Sequence, residues 1–145
     1  MEKEYISYEQ ALALKELGFD EPCRDHWEKG TDGHGWGLFT SGDWLTYKDL
    51  TPEYKDKEGN LCGEFSCPSF SQAFRWFREK YGLCVWITSK TVDSKTVYII
   101  HGRTIPDIIK NNLIVDIIPY VTLRTYEEAE LECLKKLIEI VKNKK

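Results

Sequence analysis

The sequence predicts an α+β protein in which an antiparallel sheet of three or more strands packs against two long helices and a shorter N-terminal helix. Two observations support this class: a helix-start pattern occurs three times, and runs rich in Val, Ile and Thr follow the second occurrence. The 145 residues, of which 41% are hydrophobic and 13% aromatic, suit one compact core. We therefore expect a single domain over residues 1–145.

The helix-start pattern is Ser or Thr, an aromatic residue, any residue, Gln or Glu, and then Ala. It begins the segments SYEQALALKELGF, SFSQAFRWFREKYGL and TYEEAELECLKKLIEIV. In a capping box, the hydroxyl accepts a bond from the backbone N–H three residues later, and the Gln or Glu there reaches back to the cap residue's own N–H. We predict such boxes at Ser7, Ser69 and Thr125, so the pattern indicates helix starts and not a repeated catalytic site.

Apolar spacing and glycine positions set the predicted extent of each helix. The first runs from Tyr8 to Leu17 and ends at Gly18, and the second runs from about Phe70 to Tyr81. The third has the broadest apolar face, which comprises Tyr126, Ala129, Cys133, Leu134, Leu137, Ile140 and Val141.

Extended periodicity between the last two helices predicts three strands, at Leu83–Thr88, Thr96–Ile100 and Leu113–Leu123. Residues 20–67 mix Gly, Asp and Lys, which indicates an irregular region with short strands. Within it, LFTSGDWLTY resembles two short strands around a Ser41-Gly42 turn, and TPEYKDKEGN resembles an exposed loop.

The net charge of −4 is unevenly distributed along the chain. Residues 1–74 carry a net charge of −8, residues 75–110 carry +4, and residues 111–145 are neutral. The acidic first half disfavours extended nucleic acid as a partner, while the basic middle segment suits one small anionic ligand. No apolar run is long enough to span a bilayer and no signal peptide is recognisable, so we expect a cytoplasmic protein without a membrane partner. The odd number of cysteines, five, favours reduced thiols.

Cysteine and histidine spacing raises two chemical alternatives, zinc binding and thiol hydrolysis. Cys23 and His26 are spaced like half of a zinc site, and Cys62 and Cys67 could supply the other half. Cys23 with His26 or His34 and a nearby carboxylate contains the residue types of a cysteine hydrolase. The spacing of Cys62 and Cys67 is looser than that of a zinc knuckle, and no nucleophile signature surrounds Cys23. We therefore predict no metal, no cofactor and no catalytic residue, with a small cysteine- or metal-dependent hydrolase as the alternative.

Aromatic and cationic side chains form the pattern that most favours ligand binding. On the second helix, a core face centred on the phenylalanines leaves Trp76 about 120° away from it and off the core. Arginine binds phosphate through two N–H donors and indole stacks on a base, which together suit a small anionic or nucleotide-like ligand. The competing interpretation is that the tryptophans complete the core and the arginines are only solvated. The predicted ligand-binding residues are Trp76, Arg75, Arg78, Trp86, Lys90, His101 and Arg103, with Trp36, Trp44 and Tyr47 on the other wall.

The segments SYEQALALKELGFDEPC, QAFRWFREKYGL and TYEEAELECLKKLIEIVK resemble small uncharacterised proteins encoded by bacteriophages and prophages of gut anaerobic bacteria. The resemblance covers the first 23 residues, the middle helix and the last helix, and residues 24–66 and 90–120 have no counterpart in it. It implies an accessory gene of a mobile element, a setting in which inhibitors of host defence and sequestering proteins are frequent. It carries over no catalytic residue.

These features together predict a non-catalytic accessory binding protein of phage type, acting in counter-defence. Such a protein would sequester a nucleotide-like signalling ligand or mask a host protein. A further alternative is a structural or assembly protein that acts as a homo-oligomer, with Trp76 as an interface anchor.

Overall fold

The computed structural model describes residues 5–29, 37–45, 50, 54–104 and 117–144, apart from the side chains of residues 41, 42 and 61. Within these ranges the chain is α+β with antiparallel strands, as the sequence predicts. It divides into two compact units, Met1–Ser69 and Phe70–Lys145. The described strands form two sheets, one in each unit, where the sequence predicts a single sheet. The expectation of a single domain stays a prediction. None of the helices in the described ranges is long and apolar enough to cross a membrane.

The first unit contains a helix and a four-stranded antiparallel sheet. Its elements are α1 (Tyr8–Glu16), β1 (Cys23–Lys29), β2 (Gly37–Leu45), β3 (Tyr54–Lys55) and β4 (Leu61–Ser66). The strand order β2-β1-β4-β3 makes β1 and β4 the central strands. Tyr8 of α1 packs its ring against Trp27 of β1 and Phe65 of β4, with ring centroids 6.4 and 5.7 Å apart.

Much of the region that the sequence describes as irregular is strand. The prediction of two short strands around a Ser41-Gly42 turn is wrong, because Gly37–Leu45 is one strand. Its residues 37–40 and Leu45 pair with β1, and the register shifts between Thr40 and Leu45. In the segment predicted as an exposed loop, β3 and the turn at residues 57–59 are indeed exposed, and its first three residues lie outside the described ranges. The backbone partners of β2 come from β1, so pairing at a distance in sequence, and not local composition, makes it a strand.

The second unit contains two helices and a three-stranded antiparallel sheet. Its elements are α2 (Phe70–Tyr81), β5 (Leu83–Val92), β6 (Lys95–Thr104), β7 (Thr122–Leu123) and α3 (Tyr126–Lys144). The bounds of α2 confirm the prediction, and Gly82 follows at φ 65°, a conformation that suits glycine. The strand order is β5-β6-β7.

The strands of the second unit differ in length from the predicted ones. The first two are ten-residue strands that form a continuous hairpin, joined at Asp93 and Ser94 with φ of 49° and 62°. Positive φ at both central residues is the geometry of the tight two-residue turn that matches strand twist. The third predicted strand, Leu113–Leu123, is reduced to Thr122–Leu123, and its residues 113–116 lie outside the described ranges.

The predicted capping boxes have different outcomes. At the start of α3, the N–H of Glu128 donates to Thr125 Oγ1 at 3.1 Å, and the Glu128 carboxylate accepts from the N–H of Arg124 at 3.2 Å. The cap at Thr125 is therefore confirmed, although the return bond goes to the preceding residue. The box at Ser7 is wrong, because the Ser7 hydroxyl donates to the side-chain oxygen of Gln10 and makes no cap bond to the backbone. The box at Ser69 stays a prediction.

The sheet of the second unit has a face covered by helices and a face that is more exposed. Ile100 of β6 belongs to a core cluster with Ala129 and Cys133 of α3, and Phe74 of α2 and Val85 of β5 pack against it. Since successive side chains along a strand point to opposite faces, residues 86, 88 and 90 of β5 and residues 101 and 103 of β6 belong to the other face. We call this second surface the open face.

Candidate ligand-binding site

An aromatic pair lies at the centre of the open face. Trp86 of β5 and His101 of β6 are direct partners in the antiparallel ladder, which brings their side chains together. Their rings are parallel, with an interplanar angle of 7° and centroids 5.1 Å apart. Trp86 is 38% exposed, so the pair keeps a surface that another flat group can reach.

Two further side chains hold this pair. The guanidinium carbon of Arg103 lies 5.4 Å from the centre of the Trp86 ring, a distance at which the cation is attracted to the indole. Thr88 Oγ1 and His101 Nε2 are 2.8 Å apart and share a hydrogen bond. The imidazole is therefore fixed in orientation on one side by the ring stack and on the other by the hydroxyl.

A second cation–aromatic contact forms a wall beside the pair. The ammonium of Lys90 donates a hydrogen bond of 2.8 Å to the hydroxyl of Tyr120, and lies 5.5 Å from the centre of that ring. Tyr120 is 66% exposed and is held over the open face by this bond. The predicted ligand-binding residues include Lys90 but not Tyr120, which follows Pro119 near the end of the third predicted strand.

A groove connects these groups. Its volume is about 240 Å³, and its lining consists of Trp86, His101, Arg103, Gly102 and Tyr120, together with Ile100 and Ile118 of the core cluster. The backbone N–H of Ile117 donates to the carbonyl of Gly102 at 2.9 Å, which holds the segment carrying Ile118 and Tyr120 against β6. Gly102 is needed for this approach, because a Cβ there would stand 2.7 Å from Ile118. The groove suits one flat ring or one phosphate group, since whole-ligand pockets usually exceed about 300 Å³.

The prediction that Trp76 lies off the core is wrong. Trp76 is 3% exposed and packs edge-on against Phe77 and Tyr81, with centroids 5.0 and 5.3 Å away. The buried side chains of α2 include Ala73 as well as Phe70 and Phe77, which widens the buried face toward Trp76. The core face of α2 is therefore not centred on the phenylalanines alone, and Trp76 falls within it.

The other predicted members of the site are not brought to the groove by the described structure. Arg75 and Arg78 are exposed on α2, which packs on the covered face of the sheet, so they do not line the groove. Trp44 is 61% exposed on β2 of the first unit. Trp36 and Tyr47 lie outside the described residues. The predicted set therefore reduces to Trp86, His101 and Arg103, with Lys90 acting through Tyr120.

The proposed cysteine chemistry finds little support in the first unit. Cys23 and Cys67 are buried, and burial raises the pKa of each thiol to about 12, with the nearby Asp25 carboxylate adding to the effect. A thiol with a raised pKa is a poor nucleophile at neutral pH, the opposite of an activated catalytic cysteine. His34, the other histidine of the hydrolase alternative, lies outside the described residues.

The zinc alternative is also not supported by the described residues. Among the described residues, His26 forms a cluster with Glu28 and Glu64 that contains no cysteine. The thiol of Cys62 instead lies 3.7 Å from the carbonyl of Asn60. Within the described residues, Cys23, His26, Cys62 and Cys67 therefore do not form the cluster that the zinc alternative requires.

Chemically, the open face combines a stacking surface with a cation at the edge of a small concavity. A flat ring can stack beside Trp86 and His101 while an anionic group meets Arg103, which is a donor suited to phosphate or carboxylate. Comparisons with protein-family models, with curated proteins and with solved structures find no match to this chain.

Proposed function

We propose that the chain is a non-catalytic binding protein whose open face takes a small anionic ligand with a flat ring, such as a nucleotide. The observation that carries this proposal is the parallel Trp86–His101 pair, with Arg103 over the indole and a groove of about 240 Å³ beside it. Sequestration of such a ligand suits an accessory protein of phage type with a counter-defence role.

A groove of this size would bury only part of the ligand. A volume of about 240 Å³ accommodates the ring or the phosphate, and the rest of a nucleotide would extend along the exposed part of the open face. Stacking of a base on an aromatic side chain contributes about 1–3 kcal/mol by alanine substitution. Trp86→Ala should therefore weaken binding by about that amount, and Arg103→Gln should weaken binding of phosphorylated ligands more than that of the free nucleoside.

Calorimetric titration with adenine and guanine mononucleotides, cyclic dinucleotides, the nucleosides and inorganic phosphate tests this proposal, and it does not need Trp86 as a reporter. Val92→Ala and Lys95→Gln are matched controls, because both residues are exposed at the hairpin turn of the same two strands and neither lines the groove. We expect both controls to bind like the wild type. If no probe binds to the wild type, or if the controls lose as much affinity as Trp86→Ala and Arg103→Gln, the proposal is wrong.

Analysis of the ligand after incubation with the protein distinguishes sequestration from catalysis. A sequestered ligand is recovered unchanged, and chromatography of the incubation mixture shows whether its phosphate or glycosidic bonds have been broken. Turnover that Trp86→Ala abolishes would contradict the non-catalytic proposal and assign catalysis to the open face.

A second candidate, masking of a host protein, is favoured by the edge strand of the first unit. β2 lies at the edge of its sheet and carries Leu38, Phe39 and Trp44, which are 36%, 52% and 61% exposed. An exposed apolar edge is a template for strand addition by another chain. Native mass spectrometry of the purified protein shows whether this edge instead joins copies of the chain, which would support the assembly alternative.

A further inference from the structure

A histidine and two glutamates converge on the central strands of the first unit. His26 and Glu28 are two residues apart on β1 and so share a face, and Glu64 of β4 is the direct partner of Glu28. One nitrogen or oxygen atom of each side chain lies within 4.8 Å of the other two. His26 Nε2 and Glu28 Oε2 are 3.6 Å apart. We call these three residues the His26 cluster.

The two glutamates place like charges at directly paired positions of β1 and β4. Like charges at directly paired positions of an antiparallel ladder destabilise the pair. A divalent cation held between the carboxylates would turn this repulsion into attraction. The His26 and Glu28 side chains are 13% and 38% exposed, so the cluster is partly shielded from solvent and still has an entry path.

The supporting contacts give the imidazole a defined position. His26 also pairs with Phe39 of β2, and the two rings stack at an interplanar angle of 19° with centroids 6.0 Å apart. Ligands on two central strands are held more firmly than ligands on loops. Zn–N and Zn–O bonds of about 2.0–2.1 Å place tetrahedral ligand atoms roughly 3.4 Å apart. The observed 3.6 Å between His26 and Glu28 is close to that spacing, and the Glu64 ligand atom lies within 4.8 Å of both.

We propose that His26, Glu28 and Glu64 bind one divalent transition-metal ion, with Zn²⁺ the best fit. One imidazole nitrogen and two carboxylate oxygens are a ligand set that zinc accepts, and three protein ligands leave a fourth position for water. Calcium requires six to eight oxygen ligands and magnesium prefers oxygen in octahedral geometry, so the imidazole disfavours both. This site differs from the cysteine-based zinc site that the sequence suggests, and it is independent of the open face of the second unit.

Calorimetric titration of the chelator-treated full chain with Zn²⁺, Mn²⁺ and Mg²⁺ tests the proposal. We expect one equivalent of Zn²⁺ to bind, with Mg²⁺ weakest. His26→Gln, Glu28→Gln and Glu64→Gln should each lower the zinc affinity by at least about tenfold, because even loss of an outer-shell partner costs 10–100-fold. Glu58→Gln, an exposed glutamate on the β3–β4 turn of the same unit, is the matched control and should bind like the wild type.

Thermal unfolding gives a second measurement of metal binding, because a bound ion raises the melting temperature. Without metal, the melting temperatures of the wild type and of Glu64→Gln set the two baselines. With excess Zn²⁺, the wild type should gain several degrees and the variant should not respond. Equal zinc responses in the wild type and in all three variants would overturn the proposal, and so would the absence of zinc binding by the wild type.

Cobalt substitution distinguishes this site from adventitious binding to thiols. Co²⁺ bound by one nitrogen and two oxygens has no thiolate charge-transfer absorption in the near ultraviolet, whereas a cysteine-ligated ion does. We expect visible d–d bands without that absorption. A strong thiolate band that persists in Glu64→Gln would assign metal binding to the cysteines and contradict the proposal.

Discussion

Gly102→Ala should both destabilise the second unit and distort the groove. A Cβ at this position would stand 2.7 Å from two side-chain atoms of Ile118 and 3.0 Å from Cγ1 of Ile117. Favourable carbon–carbon contacts lie at about 3.5–4.0 Å, so the overlap is roughly 1 Å. The segment cannot simply move away, because the N–H of Ile117 donates to the carbonyl of Gly102. Overpacking of this kind costs about 1–3 kcal/mol, which we expect as the loss in free energy of unfolding.

Urea denaturation of four variants, Gly102→Ala, Gly37→Ala, Ile118→Ala and the double variant Gly102→Ala/Ile118→Ala, measures this cost and assigns its cause. Gly37→Ala is the matched control, because a Cβ there meets only a Phe39 ring atom at 3.7 Å, and its effect should stay within about 0.5 kcal/mol. In an Ile118→Ala background, Gly102→Ala should cost clearly less, since the main clashing side chain is gone. If Gly102→Ala is as stable as Gly37→Ala, the predicted clash does not occur. The same conclusion follows if Gly102→Ala lowers the free energy of unfolding equally with and without Ile118→Ala. If the loss of stability is confirmed, the same variant should also bind the groove ligand more weakly, because Ile118 lines the groove.

Two further predictions concern buried side chains of the second unit. Trp76→Ala should lower the free energy of unfolding by about 3–5 kcal/mol, because the indole is 3% exposed; a loss below about 1 kcal/mol in urea denaturation would restore the surface interpretation. Burial, with help from Glu130 and Glu132, raises the pKa of the Cys133 thiol from 9.0 to about 12. The unfolded state therefore loses this proton first, so stability should fall as the pH rises from about 9 to about 12 and be fully present below that interval. In Cys133→Ala the decline in urea-unfolding free energy should be shallower, and an unchanged slope would contradict the assignment.

Local signals in the sequence were sufficient for the helices. The bounds of α2 follow from an aromatic stripe between Ser69 and Gly82, and the start of α3 follows from the Thr125 cap. Both are determined within a few residues of chain, which is the range over which capping and helical periodicity act. The predicted position of Trp76 is wrong because Ala73, which is fully buried, extends the core face of α2 toward it. A small buried residue marks a core face as reliably as a large one.

The strands required information that is not local. The outer half of the β5–β6 hairpin, including Lys90 and Thr96, is exposed, so it shows little apolar alternation although it is fully paired. In the first unit, CRDHWEK becomes β1 through its partners β2 and β4. The His26 cluster could not be anticipated for the same reason, because Glu64 meets Glu28 only through the register of β1 with β4.

Register also explains why the open face can carry a site without disturbing the fold. A shift of β5 by one residue against β6 would turn Val85 and Ile87 out of the core, so burial of these side chains against Ile100 fixes the register. The same register aligns Trp86 with His101 on the opposite side of the sheet. Contact between these two side chains is therefore not needed to align the strands. Substitution of Trp86 therefore changes the ligand surface while the covered face continues to hold the strands in place. This separation makes binding by the Trp86 variant a direct test of the proposed function.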